Sequence, residues 1–214
     1  RVASRVADAQ GNPDIYVYDI GRNNFSQLTF SPQGECCPMW SPDGDRVIFT
    51  SNRTGTPNLY AKNADGTGEV QRLTESEQVH FGSGWSADGE TLVHISQGDV
   101  HTARYEESSE SIALFETEFT EQLASMSPDG RWIAYESDED GDFDIYVRPY
   151  PGVDGGKWKV STQGGVQAAW SPDGSELFFI SGLSMMRAAI TTMPAFSAGN
   201  PEVLFEGRYS LGAA

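Results

Sequence analysis

The segment SDEDGDFDIYV, Ser137 to Val147, sets Asp138, Asp140, Asp142 and Asp144 at alternate positions around Gly141. Oxygen ligands at every second residue, with a glycine at a sharp turn, suit a hard cation such as calcium. The glutamate that an EF-hand loop carries at its twelfth position is missing. A second grouping is more dispersed. Glu35, His80 and Glu121 each stand five residues before Trp40, Trp85 and Met126, and Tyr209 holds the same slot before the C-terminal residue of SLGAA. Four polar groups in one repeated slot could converge on a small ligand or cation. Glu35 and Glu121 alone could act as the paired carboxylates of glycoside hydrolysis.

The three histidines, His80, His94 and His101, fall within 22 residues and at first suggest a metal site. His94 occupies the position of Phe49, Tyr135 and Phe179 in neighbouring segments, and His101 that of Tyr16, Tyr60 and Tyr146. Both are therefore read as packed replacements of core aromatics. Other chemistries find no footing. GSGWS and GLSMM do not fit the G-x-S-x-G elbow of a hydrolase, and no kinase loop, phosphate loop or dinucleotide fingerprint is present. Cys36 and Cys37 are adjacent. A disulfide between neighbours closes a strained ring, so two small buried thiols are expected.

The elements that must position these groups are repeats. W-S-P-D-G at Trp40 to Gly44 returns as W-S-A-D-G at Trp85, M-S-P-D-G at Met126 and W-S-P-D-G at Trp170. Ser-Pro-Asp-Gly is turn chemistry: Pro presets φ at the second position, Asp suits the third and Gly closes the fourth. An aspartate recurring in every unit argues for a turn role and against catalysis, which needs one site. Behind each turn runs a strand-like segment: RVIFTS, TLVHIS, RWIAYES and ELFFIS. Second strands follow at DIYVYDI, NLYAKN, DVHTAR and DIYVRPY, then third strands at SQLTF, VQRLT, SIALF, KWKVS and EVLFE. Four strands per unit of about 43 residues, without helical periodicity, form the pattern of β-propeller blades. In that frame SDEDGDFDIYV is the most acidic copy of an ordinary hairpin, and calcium is the lesser reading.

Five units fill the 214 residues as a single domain. SLGAA, Ser210 to Ala214, is expected to close the first blade as its innermost strand. The alternative is an excerpt of a six- or seven-bladed propeller. The chain begins at Arg1 without an initiator Met, which points to processing or to excision from a longer protein. No stretch reads as a signal peptide or as an apolar span. The formal net charge of −17 disfavours nucleic acid and anionic membrane as partners.

Blades of S-P-D-G, an apolar strand and then S-x-x-x-G-x-x-D-I-Y-V resemble the TolB-type, WD-repeat-like propellers. YVRPYPG, with GKWKVSTQGG and W-S-P-D-G-S-E-L-F-F behind it, resembles propellers at the C-terminus of bacterial membrane-anchored serine/threonine kinases. Similar blades cover the active site of prolyl-oligopeptidase-type hydrolases. The resemblance implies a non-catalytic scaffold or sensor, periplasmic or otherwise extracytoplasmic. It would meet a protein or small ligand at the channel mouth and need no cofactor. A glycoside hydrolase using the mouth carboxylates, or a gating propeller of a peptidase, is the alternative.

Overall fold

The computed structural model describes residues 1–7, 11–105 and 111–207. Each repeat unit becomes one antiparallel sheet. The first has three strands, β1 (Val2–Ala7), β2 (Pro13–Asp19) and β3 (Asn24–Gln27). The second runs β4 (Glu35–Trp40), β5 (Arg46–Ser51), β6 (Asn58–Asn63), β7 (Gln71–Arg72). The third is β8 (His80–Trp85), β9 (Thr91–Ser96), β10 (Asp99–Arg104), β11 (Ile112–Ala113). The fourth is β12 (Glu121–Met126), β13 (Trp132–Ser137), β14 (Asp144–Pro149), β15 (Trp158–Lys159). The fifth holds β16 (Val166–Trp170), β17 (Glu176–Ser181) and β18 (Ser184–Thr191), with both β19 (Ser197–Ala198) and β20 (Glu202–Glu206) paired to β18. A single 3-10 turn at Val153–Gly155 is the only helix among the described residues. The expected closing strand and Tyr209 lie outside the described residues. β1, which that strand would join, has only β2 as a partner strand among the described residues.

Two compact units emerge. One comprises residues 1–82 and 103–111, the other residues 83–102 and 112–213. In the first, Ile15, Val17 and Leu28 pack against Val47, Phe49 and Tyr60 of the next sheet. In the second, Val93 and Val100 pack on Ile133 and Tyr135, and Ile145 and Val147 on Leu177 and Phe179. Strands β5 and β13 are buried at nearly every position, on both faces. That is why their sequences read as continuous apolar runs instead of alternating, and each buried large side chain contributes about 1.5–3 kcal/mol.

The Ser-Pro-Asp-Gly turns fold as read. Gly44, Gly89, Gly130 and Gly174 each donate their N–H to the serine carbonyl three residues back, at 2.8–2.9 Å. The glycines adopt φ of +68 to +73°, conformations that carry a penalty for other residues. The serine side chain does more than the turn type requires. Ser127 Oγ donates to Asp129 Oδ1 at 2.6 Å and accepts the Trp132 N–H at 3.0 Å. Ser41, Ser86 and Ser171 repeat both bonds. Because Ser127 is buried, Ser127→Ala should strand the Trp132 N–H and cost about 1–3 kcal/mol in urea unfolding. An unchanged midpoint would show that the hydroxyl holds nothing.

Candidate functional site

The residues expected at a channel mouth head the inner strands. Glu35, His80 and Glu121 are the first residues of β4, β8 and β12. Their exposures are 1%, 2% and 1%. They are walls, not rim. Their position follows from a backbone stitch. His80 N–H bonds the Pro57 carbonyl at 3.0 Å, Glu121 N–H that of Gly98 at 2.5 Å, and Gly165 N–H that of Phe143 at 2.8 Å. In each case the acceptor immediately precedes the second strand of the preceding unit, so the slot residue is drawn under that hairpin.

Glu35 belongs to the first compact unit. Its Oε1 pairs with Arg53, whose guanidinium also lies over the Phe49 and Tyr60 rings at 5.4 and 4.9 Å. Glu35 Oε2 is buried and has no hydrogen-bond partner among the described residues. Burial raises the Glu35 carboxyl above the usual range, opposed by Thr29 and Arg53. Beside it is a cavity of about 190 Å3, bordered by Arg5, Glu35, Cys36, Thr50, Asn52 and Phe81. Thr50 Oγ1 donates to the His80 carbonyl at 3.1 Å, so β5 is tied to the start of β8 beside this cavity.

Glu121 belongs to the second unit and has different company. Its Oε1 accepts from Thr117 Oγ1 at 2.7 Å and from Ser137 Oγ at 3.3 Å, the Asp99 carboxyl lies beside it, and its Oε2 is buried with no hydrogen-bond partner among the described residues. The sequence explains the pairing. Asp14, Asn58 and Asp144 open their second strands and accept from Thr29, Thr74 and Ser161. Phe115 stands where that hydroxyl would be in the third unit, leaving the Asp99 side chain to the Thr117 N–H and to Glu121. Glu139 occupies the place of Arg53, and its charge is already met by Lys157. Burial, with Asp99 beside it, pushes the Glu121 carboxyl up to about 7.

The acidic hairpin is committed to the fold's own donors. Asp138 Oδ1 accepts the Thr120 N–H at 2.8 Å. Asp140 Oδ2 accepts from Tyr146 Oη and Lys159 Nζ, and Asp144 from Ser161 Oγ with Lys159 Nζ at 2.7 Å. Among the described residues no group of three or more His, Cys, Asp or Glu is arranged to hold a metal ion. His94 is fully buried, with its ring 5.7 Å from that of the half-buried His101. The cysteines depart from expectation: both are half-buried, not buried. Arg5, Arg53 and Asp99 were not singled out in the sequence. Only Asp99 carried a signal, as the acidic opener of a second strand lacking its usual hydroxyl.

Two outcomes follow. Arg53→Ala should strand the buried Glu35 charge and lose about 3 kcal/mol by denaturant unfolding. Adding Glu35→Gln should recover much of it; an additive double mutant would mean that the pair is not coupled. For Glu121 the folded-state value lies above that of the unfolded chain, so the folded protein binds the extra proton. Its contribution is complete below about pH 4.5 and is lost as pH rises through about 7. Glu121→Gln should flatten the stability profile in that window. A wild-type profile that climbs there, with the variant unchanged, would contradict the pairing.

The geometry agrees with what known proteins resemble. The profile of the TolB beta propeller domain (PD40) matches residues 2–147. A protein described as a TolB homolog from Chlorobium luteolum is 31% identical over 148 residues, 66% of this chain and 33% of that protein. The chain thus spans about a third of that relative's length. The solved structure of a TolB from Agrobacterium tumefaciens, described as putative, superposes with a TM-score of 0.70 at 18% identity, over 95% of this chain and 80% of the other. An oligogalacturonate lyase in complex with manganese gives 0.66 at 15% identity, over 91% and 60%. These likenesses at low identity show a shared fold. The matched blades, turns and strand order place this chain in the TolB beta propeller family.

Proposed function

We propose that the chain is a non-catalytic binding or scaffold propeller, serving protein–protein interaction or ligand sensing as part of a larger extracytoplasmic protein. One observation carries the reading. Most of the side chains whose types suggested chemistry are engaged by the fold: the aspartates in turns, Glu121 with Thr117 and Ser137, and Asp140 and Asp144 with Lys159. The Glu35 cavity supplies the place to bind. Glu35, Arg5 and Asn52 on one cavity border suit a ligand or partner side chain that brings complementary hydrogen-bonding groups. The net charge of −17 favours a neutral or basic partner. Among the described residues no helix is long and apolar enough to cross a membrane. The likeness of YVRPYPG to kinase-linked propellers supports a sensor role, by analogy.

The test is a turnover panel of esters, peptides and glycosides, run alongside a binding screen of short peptides by thermal shift. The reading expects no turnover. It also expects at least one neutral or basic peptide whose stabilising shift is lost in Asn52→Ala. Robust hydrolysis abolished by Glu121→Gln would overturn it in favour of an enzyme.

A further inference from the structure

The inner strands share a distortion. Register slips between Cys36 and Met39 in β4, between Gln122 and Ser125 in β12, and between Val166 and Ala169 in β16. At each slip one residue takes a left-handed conformation: Cys37 at φ +58°, Leu123 at +46° and Gln167 at +57°. On a regular strand, successive side chains point to opposite faces. A bulge with one left-handed residue breaks that alternation. In β4 the two residues at the break are both cysteines. The bulge brings them to one side, with Cys37 Sγ donating to Cys36 Sγ at 2.7 Å.

The surroundings suit reaction more than storage. Both thiols are half-buried, and Cys36 borders the Glu35 cavity together with Arg5. The Cys37 hydrogen bond pulls the Cys36 thiol below its usual range, and the Arg5 charge acts in the same direction. The same bond pushes Cys37 well above its own range. The two sulfurs are thus unequal, Cys36 the easier to ionise although its burial opposes this and Cys37 the harder, which suits an attacking and a resolving cysteine.

We propose that Cys36 and Cys37 form a reversible vicinal dithiol–disulfide couple that exchanges with small-molecule disulfides at the edge of the Glu35 cavity. The Cys36 thiolate attacks one sulfur of R–S–S–R, forming a mixed disulfide and releasing one thiolate, which takes a proton from solvent. Cys37 then gives up its proton to solvent, and its sulfur attacks Cys36 Sγ and expels the second thiolate, which is protonated in turn. Two cysteine thiols are oxidised and one small disulfide is reduced to two thiols. The adjacent α-carbons are about 3.8 Å apart, closer than an ordinary bridge allows, so the ring is strained and opens readily under reductant. The couple is a switch: closing the ring removes the thiolate from beside Arg5 and fixes the backbone one residue from Glu35.

The test uses the full chain, reduced and then incubated with oxidised glutathione, read by intact mass and non-reducing peptide mapping. Wild type should lose two hydrogens, retain no glutathione, and return to the dithiol with excess dithiothreitol. Cys37→Ser should stop at one glutathione on Cys36, and Cys36→Ser should react at least tenfold more slowly. Phenylarsine oxide should bind the reduced wild type one to one and fail to bind it once oxidised. Any of three wild-type results would overturn the proposal: thiols that stay alkylatable in excess oxidised glutathione, a stable glutathione adduct, or disulfides between chains.

Discussion

A buried serine hydroxyl sets the frame of the four repeats that carry the Ser-Pro/Ala-Asp-Gly turn. By accepting the backbone N–H five residues on while donating to the turn aspartate, it fixes where the inner strand ends and the next begins. Antiparallel pairing leaves one register once that end is pinned, because a slip of one residue would turn the whole buried set to the wrong face. The position of Glu35 opposite Ser51, and of Glu121 opposite Ser137, follows from that register together with the bulge that shifts each inner strand by one residue. So does the stitch that seats each slot residue under the hairpin before it.

Equivalent positions then diverge by their neighbours. Glu35 and Glu121 share a slot, a strand partner type and near-complete burial. Arg53 makes the first an ion pair stacked on aromatic rings. Glu139 in the matching position and Phe115 in place of a hydroxyl leave the second beside the Asp99 carboxyl, with its own carboxyl pushed up to about 7. A repeat fold keeps the backbone answer constant and lets single substitutions decide whether a slot is charged, neutral or open. The Glu35 slot borders a cavity. The binding reading therefore rests on that slot.

Much of the frame was legible because its signals are local. Turn residues, strand composition and a period of about 43 residues located every sheet, and the shortened SQGDV and GLSMM hairpins appear as tight connections between β9 and β10 and between β17 and β18. The site was less legible. Nothing in Cys37, Leu123 and Gln167 announces a left-handed residue, since the bulge is imposed by how the inner strands pack and not by a glycine or asparagine. Hence the meeting of Cys36 and Cys37 was invisible in the sequence. Burial of Glu35 and Glu121 was hidden for a related reason: a polar residue in a loop-like segment reads as solvated until the hairpin above it is in place.

The central claim is that the carboxylates heading the inner strands are enclosed members of the blades. Carbon-13 NMR titration of the glutamate side-chain carboxyls in the folded chain, assigned through Glu35→Gln and Glu121→Gln, tests it directly. The account predicts that both carboxyls titrate above the usual glutamate value of about 4.3, with Glu121 near 7 and its curve distorted by Asp99. Ordinary, independent titration of both groups would show that they stand in open solvent and would contradict the account.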